Sequence, residues 1–172
     1  DDECPDLDPL TADDGRTLWV YSGAHDMYFV GDFDENGLYQ PIQSVGQLSY
    51  NSQSYAAQTY YYEPGKPVIR FAWNRSDIPG APFNGSMCTP TEMTLKKHGD
   101  RYYLSALPIK STENLVVKSD KLDDFTLTHC THELGSKTCR IAFTVKEGDL
   151  TCNLYGLEMK FDKNGLTCGE SI

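Results

Sequence analysis

The chain has 172 residues, with 15 Lys+Arg against 25 Asp+Glu and a formal net charge of −10. That length can bury a core without staples, and 39% hydrophobic with 23% charged residues marks a folded chain rather than a disordered one. A sequence pI near 4.7 and scattered basic residues (the longest pair is Lys96-Lys97) exclude a phosphate-binding surface, so neither nucleic acid nor an anionic membrane is an expected partner.

The expected elements are strands. Leu18–Ser22, Met27–Phe33, Ala57–Tyr62, Val68–Trp73, Tyr102–Leu107, Phe125–His129, Arg140–Lys146 and Leu154–Phe161 are short and rich in β-branched or aromatic residues. Asn36-Gly37, Asn84-Gly85 and Asn164-Gly165 mark tight turns, the last inside the clearest hairpin, Lys160 to Leu166. No stretch carries a helical apolar stripe, so the fold class is all-β: a propeller, sandwich or barrel. The polar segment from Pro108 to Asn114 separates an aromatic, Pro/Gly-rich stretch from a Thr- and Cys-rich one, which predicts two regions, 1–110 and 111–172.

No apolar run approaches the ~18 residues a membrane-spanning helix needs. No signal-peptide pattern opens the chain, so an exported form would already have lost its leader. Cysteines at 4, 88, 130, 139, 152 and 168 are even in number but irregularly spaced, and their pairing stays open. Two glycosylation tripeptides, Asn74-Arg-Ser76 and Asn84-Gly-Ser86, tip the expected location towards an extracellular or periplasmic space, with the cytoplasm as the other option.

Gly-rich phosphate loops, Gly-x-Ser-x-Gly elbows and Cys-x-x-Cys pairs are all absent from the sequence. Asp32-Phe-Asp34-Glu-Asn36-Gly37 imitates the start of a calcium loop, but Gln43 at the last position cannot supply the bidentate carboxylate, and a hairpin turn is the better reading. His129, Cys130, His132 and Cys139 match no common zinc spacing, and a hairpin placing Cys130 and Cys139 on facing strands accounts for them more simply. No metal or organic cofactor is expected.

The informative stretch is Asp2-Glu3-Cys4-Pro5-Asp6, followed in order by Gly31-Asp32-Phe33-Asp34, Tyr55-Ala-Ala-Gln-Thr59, Ile69-Arg-Phe-Ala-Trp73-Asn74 and Asn84 to Leu95. From Glu3 to about Ile109 this series resembles the second half of the family 32 glycoside hydrolases, the invertase, inulinase and levanase group. The resemblance implies the last blades of a five-bladed β-propeller followed by part of a β-sandwich. Glu3 would be the acid/base glutamate, Tyr55 and Trp73 would line the fructosyl pocket, and Cys4 would pack beneath the site. Asp32 and Asp34 would lie on the hairpin after the acid/base strand, and Pro90 in the closing strand region. Ser54 and Thr91 depart from the family pattern, which has a polar residue such as Asp and an Arg there.

The chemistry needs a carboxylic acid that holds its proton until the leaving oxygen takes it, then a carboxylate that deprotonates water. Burial and the nearby Asp1, Asp2 and Asp6 would favour the protonated form of Glu3. Tyr55 and Trp73 offer flat apolar faces with polar tips, which suit a sugar, although core packing in aromatic strands would account for the same residues. The family's nucleophile and transition-state stabiliser belong to Asn-Asp-Pro and Arg-Asp-Pro motifs upstream of the acid/base residue. Neither occurs here; Asp8-Pro9 is preceded by Leu7. The expectation is therefore a portion of a retaining β-fructosidase, inactive alone, whose partners are the remainder of the parent enzyme and sucrose or a fructan such as inulin or levan. The rival expectation is a non-catalytic β-rich carbohydrate-binding module derived from the same family.

Overall fold

In the computed structural model, residues 3–50, 52–60, 63–121, 131–133, 139–154 and 156–169 are described. The chain divides into two compact units, Asp1–Lys118 and Ser119–Ile172. The first holds two antiparallel sheets. One comprises β1 (Asp6–Thr11), β2 (Thr17–Ser22), β3 (Met27–Phe33) and β4 (Tyr39–Pro41) in that spatial order, with the short β5 (Gly46–Gln47) also on β3. The other contains β6 (Ser54–Thr59), β7 (Val68–Asn74), β8 (Ser86–Met87), β9 (Thr91–His98) and β10 (Arg101–Pro108), ordered β10-β9-β7-β6 with β8 on β7.

Alternation decides which face of each strand is buried. Leu18 and Val20 of β2 and Tyr28 and Val30 of β3 point to one side. They meet Val68, Met93, Leu95, Tyr102 and Leu104 of the second sheet in one core cluster. Leu18, Val20, Val30 and Leu95 are fully buried, each contributing roughly 1.5–3 kcal/mol of transfer free energy.

Side chains stitch the two sheets together along this core. Gln43 bonds the backbone of Tyr102 twice, accepting from its N–H at 2.8 Å and donating to its carbonyl at 2.7 Å. The Tyr28 hydroxyl accepts from the Leu104 N–H at 3.1 Å. Asp13 and Asp14, in the β1–β2 turn, accept from the Lys97 N–H and the Tyr102 hydroxyl, both at 2.8 Å.

The Asp32–Gly37 stretch runs from the end of β3 into the turn of the β3–β4 hairpin, as its sequence suggests. Asp34 accepts from the N–H groups of Asn36 and Leu38 and from the Gln40 amide, each at 2.9 Å. These bonds, that from Leu38 foremost, hold its carboxyl below the usual carboxylate range.

In the second unit, β11 (Leu150–Leu154), β12 (Leu157–Asp162) and β13 (Gly165–Cys168) form a three-stranded antiparallel sheet in chain order. The Lys160–Leu166 hairpin is present, with Asp162 opposite Gly165. Leu154–Phe161 is not one strand: the chain turns at Gly156 and pairs Leu154 with Leu157. Arg140–Lys146 has the expected alternation but no strand conformation. Its Ile141, Phe143 and Val145 are exposed, and among the described residues no strand pairs with it, the backbone partner that an alternating segment needs to become a strand. The expected strand Phe125–His129 and the residue Cys130 lie outside the described residues. His132 and Cys139 are both exposed, and Cys139 is not in a strand. The polar segment after β10 forms a short 3-10 helix, Lys110–Leu115. Cys4, Cys88, Cys139, Cys152 and Cys168 are free thiols.

Candidate active site

The region around Glu3 is built by three backbone segments that meet edge to edge. The Ala24 N–H donates to the Glu3 carbonyl at 3.0 Å, and the Ala56 N–H donates to the Ala24 carbonyl at 2.9 Å. The amino-terminal segment, the β2–β3 turn and β6 therefore run side by side. Each contains a residue of positive φ that is not glycine: Cys4 at 47°, Asp26 at 61° and Ala56 at 49°. At Ala56 the cause is a β-bulge. Tyr55 pairs with Trp73 and Gln58 with Phe71, so Ala56 and Ala57 oppose Ala72 alone. A bulge bends its strand and re-aims the adjacent side chain, here Tyr55.

Tyr55 is the hub. Its hydroxyl donates a hydrogen bond to Glu3 Oε2. Its half-buried ring meets His25 edge-on at 4.9 Å between centroids and Trp73 at 6.4 Å, and the Arg75 guanidinium lies 4.3 Å from its centre. The bond to Glu3 first, and burial second, raise the phenol above its ordinary value, while Arg75 pulls it down. Trp73 is 45% exposed, not a core residue, and Cys4 is half-buried. Glu3, Tyr55 and Trp73 are thus joined in a row. Asp32 is exposed on β3 and bonds the Phe33 N–H, and Pro90 directly precedes β9.

The environment expected for Glu3 differs. Its side chain is exposed, Asp6 is turned to the Thr59 N–H, and Asp1 and Asp2 lie outside the described residues. Burial of Glu3 is therefore not supplied by this unit. What Glu3 has instead is a donor, Tyr55.

Beneath the row sits a buried ion pair. Asp26, 3% exposed, accepts from the Ser54 hydroxyl at 2.8 Å and from the Arg70 guanidinium. Ser54, which departs from the family pattern, thus donates to Asp26. One signal for this pair stood in the sequence: Arg70 interrupts the apolar run Val68 to Trp73, and a cation there needs an anion.

A second buried carboxylate, Asp8 on β1, faces Thr59, whose hydroxyl donates at 3.2 Å. Its other oxygen has no hydrogen-bond partner among the described residues. Burial, with the nearby Asp6 charge adding to it, pushes Asp8 up to about 6.

A family model described as the glycosyl hydrolases family 32 N-terminal domain matches residues 2–106. The chain belongs to glycosyl hydrolase family 32. Among its family relatives, the fructan beta-fructosidase of Streptococcus mutans serotype c is 28% identical over an alignment of 139 residues that covers 66% of this chain and 10% of that protein. The levanbiose-producing levanase of Bacillus subtilis is 26% identical over 160 residues, 81% of this chain and 30% of the relative. Among solved structures, the exo-inulinase of Aspergillus awamori superposes with a TM-score of 0.52 at 25% identity, covering 62% of this chain and 25% of the other. The chain therefore spans less than a third of each of these three relatives. The family's all-β architecture agrees with the sheets described above.

Proposed function

We propose that this chain supplies the acid/base half of a retaining β-fructosidase site that cleaves terminal fructosyl bonds of sucrose or a fructan. The observation that carries the proposal is the row Glu3–Tyr55–Trp73: a carboxyl group held by a phenol, with an open indole beside it. Glu3 protonates the leaving oxygen and then deprotonates water. Tyr55 and Trp73 receive the sugar ring, and Cys4 packs against the phenol. The nucleophile comes from an Asp of sequence outside these 172 residues, about 5–5.5 Å from Glu3 as retention requires. The two five-stranded sheets are read as the last blades of a five-bladed propeller, and the β11–β13 sheet as the start of a sandwich. Relatives acting on fructan and levan, by their names, support this substrate class.

The test is Glu3→Gln in a protein that also carries the upstream half, assayed on sucrose, inulin and levan. Turnover should fall by roughly 10²–10⁴, the usual worth of general acid/base catalysis, with the fold intact. Undiminished turnover would end the assignment.

A second reading, a non-catalytic sugar-binding module, draws on the open apolar face formed by Tyr60, Phe71 and Met87 next to Trp73. Calorimetry of the 172-residue chain with inulin separates the two. Heat of binding undiminished by Glu3→Gln, in a protein without an upstream Asn-Asp-Pro, favours the module.

A further inference from the structure

Arg75 follows β7 directly, and nothing in its sequence context marks it beyond its place inside the tripeptide Asn74-Arg-Ser76. Its surroundings are specific. The backbone N–H donates to the Gln53 carbonyl at 2.9 Å, and the guanidinium donates to the Ser52 carbonyl at 2.7 Å, so both ends of the residue are tied to the segment that enters β6. The guanidinium carbon is thereby held over the Tyr55 ring, 4.3 Å from its centre. On the other sides of that ring stand His25 and Trp73. Three groups flank the ring, and Arg75 among them carries a permanent charge and is bonded at two points.

We infer that Arg75 is a positioning residue for the acid/base pair: its guanidinium, fixed by the Ser52 carbonyl and stacked on Tyr55, sets where the phenol hydroxyl meets Glu3. The inference rests on the reading of Glu3 as acid/base for its catalytic meaning, but the coupling itself is a property of this chain alone. A cation over the ring face attracts the ring's negative quadrupole, restrains its rotation and favours the ionised phenol. Glu3, the acceptor on the other side, opposes ionisation. The phenol thus lies between a cation that lowers its proton affinity and a carboxylate that raises it. Arginine suits the place better than lysine, because only a planar group can stack on the ring and bond a carbonyl at its edge at once.

The experiment is a pH titration of the ¹³C-tyrosine-labelled 172-residue chain by NMR, with Tyr55→Phe identifying the Tyr55 signal. Glu3→Gln should move the Tyr55 midpoint down, by removing its main opposing partner. Arg75→Gln should move it up, and Arg75→Lys should move it up less, since the charge stays while the stack is lost. In Arg75→Gln the Tyr55 ring signals should also broaden or average, reporting a ring no longer held. A Tyr55 midpoint that responds to Glu3→Gln but not to Arg75→Gln overturns the inference and leaves the acid/base reading standing. If Arg75→Gln loses its dispersed spectrum, Arg75→Lys decides alone: an unmoved midpoint and unmoved ring signals refute the positioning role. Intact turnover of Glu3→Gln in the complete enzyme would sink the acid/base reading without touching the measured coupling.

Discussion

The buried carboxylate of Asp8 offers a quantitative test of the fold. It is 3% exposed, one oxygen is bonded to Thr59, and the other has no partner among the described residues. An aspartate ionises near 3.8 in an unfolded chain, and burial raises Asp8 to about 6 in the folded one. Between those pH values the folded state holds a proton that the unfolded state has released, so stability falls as pH rises through this window. Below it both states are protonated and above it both are ionised, and Asp8 then adds no slope. A rise of about two pH units, at about 1.4 kcal/mol each, makes the total effect on the order of 3 kcal/mol.

Asp8→Asn keeps an acceptor for Thr59 and removes the ionisation. Urea unfolding at several pH values between 4 and 7.5 measures the effect. The protein's two tryptophans, Trp19 and Trp73, both belong to the first unit, so their fluorescence reports that unit directly. The variant should gain on the wild type as pH rises from 4 to about 6, by roughly 2.5 kcal/mol in all, and should hold that gain unchanged to pH 7.5. Subtracting one curve from the other cancels the titration of every unrelated group. A difference that stays constant across the range would refute the reasoning, because it would mean that the folded chain does not penalise ionised Asp8.

Two further outcomes are expected. Arg70→Met strands the buried Asp26 carboxylate and should cost about 3–5 kcal/mol in urea unfolding, as breaking a buried pair does; a loss below about 1 kcal/mol contradicts the pairing. Gly85 has φ +71°, and a Cβ there would lie 2.4 Å from Trp73 Nε1 and 2.8 Å from the Asn74 carbonyl oxygen. Gly85→Ala should therefore cost at least about 1–2 kcal/mol and displace the indole, read as a shift in tryptophan emission; unchanged emission and stability would show that Gly85 does not seat Trp73.

Where burial alternates cleanly, the sequence was sufficient. Met27–Phe33 matches β3 residue for residue because its aromatic and β-branched residues favour a strand and it ends at a turn rich in Asp, Asn and Gly; buried and exposed positions then alternate from Met27 to Val30. β1 escaped notice because Asp6, Asp8 and Pro9 are poor strand formers, and only the pairing with β2 and the contacts of Thr59 make them one. β9 was hidden in a similar way: Met93 and Leu95 are its buried residues, set among Thr, Glu and Lys. The row Glu3, Tyr55 and Trp73 was readable through family resemblance. His25, Asp26 and Arg75 were not, since each acquires its place from a turn, a positive φ or a ring stack that no local spacing encodes.

Those hidden residues account for how an exposed glutamate can still be held in place. Positive φ at a residue other than glycine costs on the order of 1–3 kcal/mol and persists only where the surroundings over-determine it. Here three such residues lie on three adjacent segments joined by the Glu3–Ala24–Ala56 backbone bonds. Asp26 is pinned by Ser54 and Arg70 from the second sheet, and Ala56 by the pairing on either side of its bulge. The strain is thus carried by the core-facing ion pair and by the β6–β7 ladder, not by Glu3 itself. That division leaves the Glu3 carboxyl group exposed while its backbone is held by the Ala24 N–H and by the strained residues on either side of that bond.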